Sequence, residues 1–213
     1  MKTIDLATWE RACHYRLFKD LAHPHYAVTV PIEAGILAES ARDLSISMFS
    51  CLFYALSMAA NQVPAFRMRI RGENVVEHNA VHPSYAAPLP GASEGIFGYA
   101  TFEHTESLAE FDRRRKAARV YKPGDPDDAS QRRDDLIYCS SLPWLAFTSL
   151  THAYGDADDA VPRFTLGKFE KRHGGLEAPL CVQVHHGLVD GYHIGQFVEA
   201  VEDICATLAE ELR

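Results

Sequence analysis

Chemistry-bearing residues crowd one stretch near the C-terminus: Gln183-Val184-His185-His186-Gly187-Leu188-Val189-Asp190-Gly191. Imidazole is the side chain that changes charge near neutral pH, so a held histidine can serve as a general base. Adjacent residues of a strand point to opposite faces, which makes His185 and His186 poor co-ligands for one metal ion. A zinc site using them with Asp190 and His193 is a minor reading, and no metal is expected. The blander alternative is one hydrogen-bonded core histidine and one at the surface. Asp190 can cap a helix, form a turn, or pair with a buried arginine.

These residues need a strand, a corner and a helix to position them. The apolar, β-branched run after Pro179 reads as a buried strand over 176–186, and Asp190-Gly191 reads as a turn. Beyond it, Ile194, Phe197, Val198, Val201, Ile204, Cys205, Leu208 and Leu212 share one face at helical spacing. Upstream, Thr8 is placed to cap a first helix reaching about Asp20, and 26–32 reads as a strand. Helices are predicted over about 35–43 and 46–61, the second apolar nearly all round. Strands are expected at 66–70 and from Val75, then a loop over 82–93 and a strand over 95–103. Ser107 opens a capping-box helix to about Tyr121. A polar loop over 122–135 precedes strands at 136–140, 145–150 and 161–169, and 171–175 reads as a hairpin tip. Helices and strands without strict alternation predict an α+β, two-layer α/β sandwich with a mixed, largely antiparallel sheet. We expect one domain, 1–213.

Bulk properties narrow the partners. The 213 residues carry a net charge of −8, which argues against nucleic acid. No apolar run is long enough to span a membrane, and the N-terminus has no secretory h-region. Cys13, Cys51, Cys139, Cys181 and Cys205 are scattered, without CxxC spacing, which fits reduced thiols in the cytoplasm.

His185-His186-Gly187-Leu188-Val189-Asp190-Gly191 matches the HHxxxDG signature of CoA-dependent acyltransferases. Further segments resemble the trimeric chloramphenicol acetyltransferase family: Trp9-x-Arg11-x-x-His14-Tyr15, Ala60-Asn61-Gln62 followed by Phe66-Arg67-Met68-Arg69, Ser140-Ser141-Leu142-Pro143-Trp144, and the strand 179–186. Condensation domains and plant acyltransferases share the signature at about twice this length. Dihydrolipoamide acyltransferase cores usually carry Asp-His-Arg before their Asp-Gly.

The resemblance implies acetyl-CoA as co-substrate, chloramphenicol or a similar small molecule as acceptor, antibiotic resistance as outcome, and a homotrimer with sites between subunits. It implies His186 as general base and Asp190 in a structural ion pair with Arg11. It implies Ser140 as hydrogen-bond donor to an oxyanion, and Thr165 as holder of a water nearby. Losing one such donor typically costs about 3 kcal/mol of barrier. Trp144 would lie along the CoA channel, with Lys168 and Phe169 beside it. Phe18, Tyr26 and His152 fall at acceptor-pocket positions and depart from the family's usual tyrosine, phenylalanine and apolar residue. Phe169 replaces a tyrosine, and Ser47 stands where some members carry a CoA-binding lysine. The resemblance therefore supports acetyl transfer more firmly than chloramphenicol itself. Without it, Ser140 and Thr165 read as strand residues with satisfied hydroxyls. Ser140 lacks the G-x-S-x-G context of a nucleophile. The basic run Arg113-Arg114-Arg115-Lys116 with Arg119 reads as a solvated helix face, with CoA phosphates as the alternative.

Overall fold

A computed structural model describes residues 1–35, 37–38, 46–172 and 174–211. Most of the predicted helix at 35–43, together with His173 and Leu212, lies outside the described residues. The architecture is the expected α+β sandwich. A mixed sheet runs in the order β2 (His25–Glu33), β10 (Gly175–His185), β8 (Arg163–Leu166), β7 (Leu136–Ser141), β5 (His82–Pro88), β6 (Phe97–Thr101), with β9 (Glu170–Arg172) pairing the start of β10. Only β5–β7 and β7–β8 among these pairs are parallel. β1 (Lys2–Thr3), β4 (Asn74–Glu77) and β3 (Met68–Arg71) form a second, small sheet.

β10 is the spine. Leu180, Cys181, Val182 and Val184 are all buried, so both faces of this strand are covered. Helices α2 (Met48–Gln62) and α4 (Gly191–Glu211) pack on each other and on one face of the sheet. Phe197 of α4 stacks on Phe164 of β8, centroids 4.7 Å apart, and on Phe66 at 4.6 Å. Phe53 of α2 meets Tyr85 and Phe102 edge-on. Burying each such ring contributes about 1.5–3 kcal/mol, so these contacts fix the helices over the sheet. Ser47 caps α2, its hydroxyl accepting from Ser50 N at 3.1 Å.

Four local expectations are corrected. The first helix, α1, spans Ala12–Lys19 and is not capped by Thr8. The backbone N–H groups of Thr8 and Trp9 instead donate to Asp5 O, which turns the chain early. The predicted loop at 82–93 contains β5: pairing on both edges overrides the loop-like Pro and Ala content. No strand forms at 145–150, because both edges of β8 are already taken by β7 and β10. The capping-box helix, α3 (Leu108–Ala117), stops short of Tyr121, which exchanges backbone hydrogen bonds with Tyr99 of β6. Smaller shifts occur at Phe66, which sits in a short 3₁₀ turn (Pro64–Arg67), and at the narrower β8.

Candidate active site

His186 follows β10 directly, and its backbone N–H donates to Pro24 O at 2.8 Å. Its ring is sandwiched by aromatics. Phe18 of α1 stacks on it at 3.9 Å and 14°, and Tyr26 of β2 lies at 4.4 Å. His185 goes the other way. It pairs in register with His25, whose ring meets it edge-on at 5.2 Å, and it is 1% exposed. Burial, with His25 nearby, pushes its pKa down to about 4. Its Nδ1 accepts from Gly187 N at 3.0 Å. A Cβ on Gly187 would come 2.9 Å from the His185 ring, so any larger residue must displace that ring.

Asp190 does not reach His186. Its Oδ2 pairs with Arg11 Nη1, while its Oδ1 accepts from Tyr192 N at 3.0 Å at the entrance of α4. Arg11 also donates to His186 O at 3.4 Å. Burial pushes the Asp190 pKa upward, but the bond to Arg11 and its charge outweigh it and hold the carboxyl below its ordinary value. Asp190 is thus both helix-entrance acceptor and ion-pair partner. Burial, then Asp190, raises Tyr26 to about 12. The Tyr26 hydroxyl and His186 Nδ1 are buried and find no hydrogen-bond partner among the described residues.

A second group of polar side chains sits on the central strands. Ser140 of β7 is directly opposite Thr165 of β8, which is opposite Cys181 of β10. Ser140 Oγ and Thr165 Oγ1 are 2.6 Å apart, and Thr165 Oγ1 is 2.7 Å from His152 Nε2. Gln183, 2% exposed, clamps His152 by its backbone: His152 N donates to Oε1 at 2.6 Å, and Nε2 donates to His152 O at 3.1 Å. Burial, then Arg163, lowers the His152 pKa. Ser140, His152, Tyr138, Arg163, Phe97 and Trp144 line an open cleft of about 1130 Å³.

The two groups do not meet within one chain. Cys181, level with Thr165 and Ser140, lies five residues before His186, or roughly 17 Å along an extended strand. Thr165 and Gln183 share the face of His185 and His25, whereas Tyr26, against which His186 packs, is opposite Val184 on the other face.

Trp144 (77% exposed), Lys168 and Phe169 lie near one another, because Lys168 N donates to Leu145 O at 2.8 Å. Lys168 Nζ pairs with Glu170 at 3.3 Å. The basic run of α3 is matched by its own helix: Arg113 and Arg114 hold Glu110, and Arg115 and Lys116 hold Asp112. Ser47 is engaged as a cap. Sequence reasoning missed the clamp by Gln183; its signal was a lone amide inside an apolar strand.

This architecture is that of an acyltransferase sandwich. A solved probable dihydrolipoamide acetyltransferase from Listeria monocytogenes has a TM-score of 0.65 at 16% identity, covering 99% of this chain and 97% of that one, a likeness of fold alone. A solved chloramphenicol acetyltransferase has a TM-score of 0.86 at 28% identity, covering 95% of this chain and 98% of that one. The chloramphenicol acetyltransferase of Proteus mirabilis is 25% identical, over 95% of this chain and 93% of its own. That of Bacillus pumilus is 26% identical, over 87% and 85%. The profile of the family described as chloramphenicol acetyltransferase matches residues 1–202. The chain belongs to the chloramphenicol acetyltransferase family, and it is an acetyl-CoA-dependent acetyltransferase.

Proposed function

We propose that the enzyme O-acetylates chloramphenicol, with His186 as general base and sites formed between the subunits of a homotrimer. The observation that carries the base is the engagement of Asp190 with Arg11 rather than with the His186 ring. The carboxylate stiffens the corner, and the imidazole works alone. A hydroxyl is a weak nucleophile at neutral pH, so His186 takes its proton as the oxygen attacks the thioester carbonyl. The carbonyl oxygen gains the negative charge, and the Ser140 hydroxyl donates to it. As the carbon–sulfur bond breaks, the proton passes from His186 to the departing CoA sulfur. Thr165 supports Ser140, and Trp144, Lys168 and Phe169 flank the route for CoA.

The separation of His186 from Ser140 supports a second copy completing each site. Exposed apolar side chains around the cleft, Ile96, Phe97, Trp144 and Leu145, support a face that another subunit covers. All five cysteines are unpaired, four of them buried, in keeping with a cytoplasmic resistance enzyme. No helix among the described residues is long and apolar enough to cross a membrane. The thioester is already activated, so the proposed attack calls on no metal ion.

Thiol release from acetyl-CoA, with and without chloramphenicol, tests the reading. Drug-dependent release is expected, and its absence overturns chloramphenicol as the acceptor. A second reading, another small hydroxylated acceptor, is favoured by the polar lining that His152 and Arg163 give the cleft. A panel of hydroxylated acceptors in the same assay decides between the two by relative kcat/KM.

A further inference from the structure

We propose that His152 is a positioning residue that sets the direction of the hydrogen-bond chain ending on Ser140. The inference rests on the reading of Ser140 as the donor to the oxyanion. The chain has three members, His152 Nε2, Thr165 Oγ1 and Ser140 Oγ, joined at 2.7 and 2.6 Å. Each hydroxyl owns one hydrogen, so a chain in which each member passes its hydrogen to the next runs in one of two directions. With a hydrogen on Nε2, His152 donates to Thr165, Thr165 donates to Ser140, and the Ser140 hydrogen is free for the cleft. With Nε2 bare, Thr165 donates to His152 and Ser140 donates to Thr165. Ser140 then offers the cleft only lone pairs, which repel an oxyanion. The donor role of Ser140 therefore requires the Nε2–H form of His152.

The surroundings are built to hold this ring. His152 belongs to the irregular run between β7 and β8, which lacks strand pairing of its own. Gln183 supplies the missing anchor with two hydrogen bonds to the His152 backbone, as a neighbouring strand would. Those bonds fix which end of the Gln183 amide is oxygen, since one partner is a backbone donor and the other a carbonyl. Thr165 is 1% exposed, so water does not readily replace either end of its pair of bonds. The apolar residue expected at position 152 has no hydrogen to give, and such a relative must orient its serine by other means.

The test has two arms. In 15N-labelled protein, the ring-nitrogen shifts of His152 report its tautomer without any substrate. Protonated Nε2 is expected; protonated Nδ1 with bare Nε2 overturns the proposal. The second arm compares kcat for His152→Gln and His152→Glu, using any acceptor that is turned over. Gln offers an N–H near the position of Nε2 and should keep most of kcat. Glu, an acceptor when ionised, should lower kcat about 100-fold, as loss of an oxyanion donor does, with KM for acetyl-CoA unchanged. In a Thr165→Val background, where the chain is cut, the two variants should become equal. Equal kcat for the two variants in the wild-type background, or effects confined to KM, overturns the proposal. The NMR arm reads wild-type protein, so it decides the direction even where a variant folds poorly. It also separates failure of this chain from failure of the acetyl-transfer reading, which only turnover reports.

Discussion

Around His186 the chain uses aromatic stacking and one ion pair; around Ser140 it uses strand register and a line of short hydrogen bonds. The first region lies at the end of β10, where the strand stops and α4 begins. Phe18, Tyr26, Arg11 and Asp190 reach it from three separate elements. The second lies in mid-sheet, where the position of Ser140 against Thr165 follows from the β7–β8 ladder. In the proposed roles, a base must present one ring in one orientation, which stacking supplies, whereas a donor to transient charge must have its hydrogen aimed, which a chain of hydroxyls supplies. The two regions lie far apart in one chain, so the proposed mechanism needs them to come together from two subunits.

His186→Ala should lower kcat by about 10²–10⁴ and Ser140→Ala by about 10²–10³, both measured by thiol release. Co-refolded in equal amounts, the two variants should regain roughly a quarter of wild-type activity, because random trimers pair an intact base with an intact donor at that share of interfaces. A mixture as inactive as its components would mean that both groups act within one subunit.

The next test separates His185 from His186. His185 ordinarily titrates at 6.5 but is held at about 4 in the fold. Between these values the unfolded chain binds more protons than the folded one, so stability falls as pH drops from 6.5 towards 4. Each pH unit in that window removes up to about 1.4 kcal/mol. Urea midpoints against pH should show this slope, and His185→Gln should flatten it. An unchanged slope would mean that other groups carry the acid sensitivity.

Smaller effects are expected at the corner between them. Gly187→Ala presses on the His185 ring and should cost about 1–3 kcal/mol by urea unfolding. Asp190→Asn removes the charge opposite Arg11; because both side chains are partly solvated, about 1–2 kcal/mol is expected. If Asp190 only stiffens the corner, this variant should lower stability without moving the pH profile of kcat/KM. A shifted profile would instead make Asp190 an electrostatic partner of His186.

Much of the region around His186 was legible because its pattern is local. Buried strand, Asp-Gly corner and amphipathic helix follow one another between 176 and 211, and the helix begins at Gly191. The separation of His185 from His186 followed from strand alternation alone. The pairing of Arg11 with Asp190 did not; it rested on family resemblance, since nothing local links residues 179 apart. Less was legible around Ser140. The run 82–88 looked like loop until partners on both sides made it a strand, and 145–150 looked like strand although its sequence neighbours β7 and β8 are each already paired on both edges. His152 appeared as a pocket residue, and its bond to Thr165 appears only once Gln183 holds the intervening loop on the sheet.

The sequence by itself determined the class of fold, the strand–corner–helix unit and the residue types available for catalysis, because periodicity and turn chemistry act over a few neighbours. Tertiary structure alone decided which of those residues touch. Register across β10, β8 and β7 lined up Cys181, Thr165 and Ser140, and the same register kept them far from His186. Strand pairing is a contest among all edges of the chain at once, and no stretch carries its outcome in its own residues.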